Sequence, residues 1–234
     1  MGIDFGFYQG ASAKNILLLG ESHHWCKEDA NKSPAERNKK EQEYSTNRTV
    51  ERYLHLHENG GYDPAYAFFE KIAQTFGFEP AKDRMRFWNS VYFKNYVTDG
   101  LCGVGDSKAK NRIFCNREKY NNDLFRFINE HGITTVFVFS RLVYKSLPQF
   151  ARGREEKQPN CDDGTLTVGK RKDYLSHCIY VKGETHGCTK VLLARDAAFF
   201  GMRHPSARGG YRPENYVDIL RAKFEAACTD IDLE

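Results

Sequence analysis

Residues 16 to 19 read Ile-Leu-Leu-Leu, four branched apolar side chains in a row, and Gly20 ends the run. A strand with one wet face alternates apolar and polar positions, so a run that is apolar throughout is buried on both faces. Thr134 to Ser140 (Thr-Thr-Val-Phe-Val-Phe-Ser) has the same character. Lys190 to Asp196 (Lys-Val-Leu-Leu-Ala-Arg-Asp) predicts a third such strand. Buried strands of this kind pair in parallel and take helices on both faces.

The intervening segments supply those helices. Pro64 opens an amphipathic stretch carrying Phe68, Phe69, Ile72 and Phe76 at helical spacing, and Gly77 closes it. Glu118 to His131 places Leu124, Phe127 and Ile128 on one face, and Pro213 to Cys228 does the same with Val217, Leu220 and Phe224. Leu142, Val143 and Leu147 predict a helix directly after the second strand. Arg86 to Val97 is rich in aromatic and β-branched residues and predicts a further strand, with Asn89 an unusual member of it. The expected architecture is a three-layer α/β/α sandwich around a central, mainly parallel four-stranded sheet. One domain accounts for residues 1–234, with insertions expected near 27–62 and 151–173, where the chain turns polar.

The chain is 234 residues long, 40% hydrophobic and 28% charged, which suits a folded globular domain rather than a disordered one. A net charge of +4 carries no global argument for a polyanion partner. The local clusters Lys39-Lys40, Lys108 to Arg112 and Lys170 to Lys172 permit phosphate contacts without requiring them. No apolar stretch approaches the length of a membrane span, and the N-terminus carries no secretory pattern. Seven scattered cysteines suit reduced thiols, so a cytoplasmic setting is expected, with neither membrane nor obligate protein partner. Cys161, His177, Cys178, His186 and Cys188 are ligand types, but the absence of any Cys-x-x-Cys pair leads to an expectation of no metal.

Ligand sites of parallel α/β sheets lie beyond the carboxyl ends of the strands. Gly20-Glu21-Ser22-His23-His24-Trp25 follows the first buried strand, and Arg203-His204-Pro205-Ser206 follows the third. Both polar clusters therefore face one crevice.

These two segments resemble motifs of the uracil-DNA glycosylase superfamily. Gly20 to His24 is similar to the family's Gly-Glu-(small)-Pro-Gly loop, and His204-Pro205-Ser206 to its His-Pro-Ser loop. The stretch beginning at Val136 looks like its strand-to-helix segment, with Ser140 where Gly is usual, and Phe87 to Val97 like its Asn-bearing stretch. The match runs in order through residues 15–227, and the two loops are its specific part.

The resemblance implies a monofunctional DNA glycosylase that flips a pyrimidine out of the stack and hydrolyses its N-glycosidic bond, leaving an abasic site. Glu21 would stabilise the oxocarbenium-like sugar or orient water, and His204 would donate to the base oxygen as negative charge develops there. Asn89 would read the base's polar edge, since a carboxamide offers both donor and acceptor. Gly20, Ser22, His23 and Ser140 would line the pocket, and Trp25 or His24 would stack on the base. Ser206 would contact DNA, and Arg208 or Tyr211 would fill the gap left in the stack. No cofactor is implied.

The family's loop proline is replaced by His23, and His24 stands where Gly or Tyr is typical. That change favours a modified base over uracil, in base excision repair or in defence against foreign DNA. Two other readings stay open. An ester hydrolase of the SGNH type would use Ser22 as nucleophile and His204 as base, although the residue three before His204 is Gly201 rather than Asp. A catalytically silent DNA-binding module would keep the fold and the basic loops.

Overall fold

The computed structural model describes residues 6–25, 33, 36, 44–79, 81–102, 106–148, 150–152, 155–157, 165–168, 171–187, 189–206 and 211–229. The fold is mixed α/β. Nine strands lie among the described residues: β1 (Phe7–Gln9), β2 (Ile16–Trp25), β3 (Tyr92–Cys102), β4 (Thr135–Val138), β5 (Phe150–Arg152), β6 (Glu155–Lys157), β7 (Thr165–Val168), β8 (Arg171–Tyr180) and β9 (Ala197–Met202). Seven α-helices accompany them among those residues: α1 (Thr46–Glu58), α2 (Ala67–Thr75), α3 (Ala81–Asn89), α4 (Asp106–Cys115), α5 (Arg117–Glu130), α6 (Arg141–Ser146) and α7 (Val217–Thr229).

Four parallel strands stand in the order β3-β2-β4-β9. The sheet is wider than the four strands expected from the sequence. β1 pairs antiparallel with β3 on one side and β8 antiparallel with β9 on the other, giving six strands, and β7 continues the ladder from β8. These additions were hard to read because β1 has only three residues and β8 begins inside a basic, polar stretch. A separate hairpin joins β5 to β6.

Side chains along β2 alternate between two cores, as the two-residue period of a strand requires. Ile16 and Leu18 enter a cluster with Tyr53, Phe69, Ile72, Trp88, Leu220 and Phe224, contributed by α1, α2, α3 and α7. Leu17 and Leu19 enter a second cluster with Ile113, Leu124, Phe125, Ile128 and Val143, contributed by α4, α5 and α6. Helices thus cover both faces of the sheet, which explains why the β2 run is apolar at every position.

Local signals set the helix ends. The Asp63 carboxylate accepts from the Ala65 N–H at 2.8 Å, Pro64 opens a 3-10 turn that leads into α2, and Gly77 follows at φ +77°. Within the expected insertion at 27–62, α1 buries Val50, Tyr53 and Leu54 in the first core. That part of the segment belongs to the body of the domain.

Two assignments move. Lys190 to Asp196 is irregular, and the strand predicted there lies immediately after it, at Ala197–Met202. Leu192 is exposed in the irregular stretch, whereas β9 needs small residues: a Cβ on Gly201 would meet the ring of Tyr144. Asn89 does not sit in a strand; it ends α3, three residues before β3 begins. Among the described residues, no helix is long and apolar enough to cross a membrane.

Candidate functional site

β2 does not stop at Gly20. It runs on to Trp25, while β4 ends opposite Leu19, so Gly20 to Trp25 continue beyond the four-strand platform beside β3 alone. The register shifts between Ser22 and His24, which makes an irregularity at the edge of the sheet. Ser22 is half-buried and pairs with Val97, and the backbones of His24 and Trp25 pair with Leu101 and Cys102. The side chains of His23, His24 and Trp25 lie outside the described residues, as does Arg208.

The polar residue types at this edge are held by short contacts. The Ser140 hydroxyl donates to Glu21 Oε2 at 2.6 Å. Ser140 is 1% exposed and caps α6, its oxygen accepting from the Val143 N–H at 3.2 Å. Because a backbone N–H can only donate, Ser140 takes that proton on its lone pair and has a single proton to give, which goes to Glu21. The carboxylate is thereby held as an acceptor at one oxygen on the second-core side of the sheet.

On the opposite face, Gly20 is aligned with Asn95 of β3. A Cβ on Gly20 would collide with Asn95 Oδ1 and would come within 3.1 Å of the Phe93 ring. Asn95 is 7% exposed, and its carboxamide makes no hydrogen bond among the described residues. Its amide is not among the fully buried polar groups left without partners, so it is open to a ligand or to water. The edge therefore carries an unused donor and acceptor above a residue that has no side chain.

His204 reaches the same side from β9. Its ring lies 5.1 Å from that of Phe68, which in turn lies 6.2 Å from Phe93. The Ser206 N–H donates to His204 Nδ1 at 3.1 Å. Nδ1 is therefore the unprotonated nitrogen of the neutral ring, and Nε2 carries the proton. Lys71 Nζ holds the carbonyl of Pro205 at 3.0 Å, tying this segment to α2.

The structure brings Gly20, Glu21 and Ser140 together at one edge, with His204 and Ser206 joined to it through Phe68 and Phe93. Two assignments made from the sequence do not belong there. Asn89 sits at the other end of β3, its carbonyl accepting from the Ser12 N–H at 2.7 Å; β3 enters the sheet opposite Leu17, one residue into β2. Tyr211 is buried, stacked on Tyr216 at 5.3 Å and hydrogen-bonded to Thr75 Oγ1 at 2.6 Å, so it braces the core and offers no ring to DNA.

Asn95 and Phe68 were missed. Asn95 lies in the stretch singled out from the sequence, and the signal was the alternation of β3: Tyr92, Lys94 and Tyr96 share one face, Phe93 and Asn95 the other. Phe68 was read only as part of an apolar helix face.

The two acid positions that a serine-hydrolase arrangement would draw on do not serve His204. Gly201 lies beneath the Tyr144 ring. Asp196 stands at the far end of β9, where its Oδ1 accepts from the Lys182 N–H at 2.7 Å. Of the cysteine and histidine ligand types, Cys178 and His186 are buried and His177 stacks on Phe200 at 4.6 Å, while Cys161 and Cys188 lie outside the described residues. Among the described residues, no group of three or more metal-ligating side chains comes together.

Compared with known families and curated proteins, the sequence matches no family model and shows no significant similarity to a curated protein.

Proposed function

We propose that the chain is a monofunctional DNA glycosylase that excises a pyrimidine, with a modified base favoured over uracil, and that it is a divergent relative of the uracil-DNA glycosylase superfamily. The observation that carries the reading is a strand end that bears a carboxylate on one face and an unpartnered amide on the other, with an imidazole whose Nε2 bears the proton joined to the amide's face through Phe68 and Phe93. The four parallel central strands and the covering of both faces by helices agree with the α/β architecture expected from the strand and helix pattern.

Each group has a task. Asn95 offers a donor and an acceptor to the base edge, and Phe68 offers a ring face to the base. As the N-glycosidic bond lengthens, negative charge grows on the base and positive charge on the sugar. His204 Nε2–H donates to the base oxygen, while Glu21 stabilises the sugar cation and directs water to its anomeric carbon. The hydrolysis adds one water across the C–N bond, giving free base and abasic sugar. Gly20 leaves room for the Asn95 amide. The reading calls on no cofactor.

The test is mass spectrometry of bases released from a panel of DNAs, including DNA that carries hypermodified pyrimidines. Release of one base by the wild type, lost in Glu21→Ala and His204→Ala while both variants still bind DNA, is the expected result. If no base is released anywhere in the panel, the glycosylase reading fails. Loss of an esterase activity in Ser22→Ala would then favour the hydrolase, and DNA binding without turnover the silent module.

A further inference from the structure

Phe68 and Lys71 stand three residues apart on α2 and so share one face of it. Both meet the His204 segment. The Phe68 ring lies 5.1 Å from the His204 ring, and Lys71 Nζ donates to the Pro205 carbonyl at 3.0 Å. That carbonyl and the Ser206 N–H belong to one planar amide and point away from opposite edges of it. The N–H end donates to His204 Nδ1 at 3.1 Å. A single peptide plane is therefore held by an ammonium at one edge and an imidazole at the other.

Each part of this arrangement narrows the freedom of the imidazole. Pro205 is buried, and a proline ring fixes φ, so ψ is the torsion left at that residue to orient the amide. The Lys71 contact restrains it. A hydrogen bond from an ammonium is roughly twice as strong as a neutral one, and it polarises the amide so that the N–H at the far edge donates more strongly. A neutral imidazole has two tautomers, and only the one protonated at Nε2 can accept at Nδ1. Thr75, further along α2, ties the chain down again beyond this loop, its hydroxyl 2.6 Å from that of Tyr211. That link bypasses the Pro205–Ser206 amide, so attachment of the segment and orientation of the amide are separable.

We propose that Lys71 is a positioning residue for His204: by fixing the Pro205–Ser206 amide it locks the ring in the tautomer that carries its proton on Nε2. In the other tautomer Nε2 would turn a lone pair toward the base oxygen, and the charge growing there would be repelled rather than stabilised. The use made of that proton rests on the glycosylase reading; the lock is a property of the ring and its neighbours.

The experiment is NMR of the histidine ring nitrogens in the isotopically labelled full chain at about pH 8, above the ordinary imidazole range. The chain has eight histidines, and the His204 pair is assigned by its loss in His204→Gln. In the wild type Nδ1 should resonate as an unprotonated nitrogen and Nε2 as a protonated one, widely separated. Lys71→Met should draw the two resonances together as the tautomers exchange, and Lys71→Arg should restore the separation. Thr75→Val should lower the urea midpoint without moving either resonance. Single-turnover base release should slow by about 10- to 100-fold in Lys71→Met with DNA affinity retained. Averaged resonances in the wild type overturn the lock without any variant. A wild-type pattern in folded Lys71→Met overturns it too, as does an equal collapse in Thr75→Val, which would mark general loosening. Collapsed resonances with base release at the wild-type rate overturn the part of Lys71 in positioning the proton. A wild type that holds the separated pattern, loses it in Lys71→Met and releases no base upholds the lock and sinks the glycosylase reading alone.

Discussion

The carboxamide oxygen of Asn95 occupies the space into which a β-carbon on Gly20 would project. The two residues are register partners on neighbouring parallel strands, and only the missing side chain at position 20 lets the amide face the crevice. Asn95→Ala should therefore weaken binding of the base-bearing substrate and lower kcat/KM by about 10- to 200-fold. Asn89→Ala, at the other end of the strand, should leave both unchanged. Steady-state kinetics of the two variants side by side decides between them, and equal losses would remove Asn95 from the site.

Gly20→Ala tests the same contact from the other strand. The added methyl must displace Asn95 Oδ1 and press on Phe93. Overpacking of this kind costs about 1–3 kcal/mol of stability. Substrate affinity should fall alongside it, as read by urea denaturation and by anisotropy on DNA containing the cognate base. Full affinity in a destabilised variant would mean that the amide has no ligand to read.

Ser140→Ala removes a donor from Glu21 and a cap from α6 in one step. Loss of the cap should cost about 1 kcal/mol in denaturation. Base release in single turnover should slow by about 10- to 100-fold while DNA affinity is retained, because a misplaced carboxylate affects the reacting geometry rather than the grip. A slowed rate accompanied by an equal loss of affinity would point to general disruption.

Glu70 anchors a half-buried network behind the site: it accepts from Arg84 at 2.6 Å, from His57 Nε2 at 3.1 Å, from the Tyr53 hydroxyl at 3.1 Å and from Gln74 at 3.2 Å. Burial and the Glu70 charge together raise the Tyr53 phenol far above its ordinary value, so it stays protonated and donating. Glu70→Ala leaves Arg84 without its carboxylate and should cost about 3 kcal/mol in urea denaturation. A change within about 0.5 kcal/mol would show the network to be dispensable.

His186 is buried, with Nε2 donating to the Val181 carbonyl at 3.1 Å, and burial lowers its pKa. The unfolded chain then binds more protons than the folded one between the depressed value and about 6.5. Stability should be constant above that window and fall as pH drops through it. His131, lowered by burial as well, adds to the same slope. Urea midpoints measured between pH 7 and 5 should decline in the wild type and decline less in His186→Phe; identical slopes would exclude His186 as a source.

The central strands were legible because their burial is written at consecutive positions. Ile16 to Leu19 and Val136 to Phe139 have no polar residue to suggest an exposed face, and Pro64 and Gly77 mark the ends of one helical segment by backbone geometry alone. β9 was placed one segment too early because Val191 to Ala194 is as apolar as Ala197 to Met202. What separates the two is tertiary: Tyr144 packs on Gly201, a contact no local pattern carries. Glu21 and His204 were singled out by their place after predicted strands, and Ser140 by the resemblance. Asn95 was passed over because Asn89 was taken as the amide of that stretch, a run of aromatic residues where helix and strand tendencies overlap. Phe68 was hidden by looking like the rest of its core face.

The alternation along β2 has a consequence for how this chain can vary over generations. Gly20 and Glu21 are adjacent, yet one faces Asn95 and the other faces Ser140, and which faces which is set by the phase of Ile16 to Leu19. Substitutions can retune either face separately. The loss or gain of a single codon within those four residues would instead exchange the two faces, turning the carboxylate toward Phe93 and the glycine toward Ser140. Lineages of this protein should therefore accept point changes in the segment and purge odd-numbered length changes, so that the spacing from Ile16 to Glu21 is inherited as a unit.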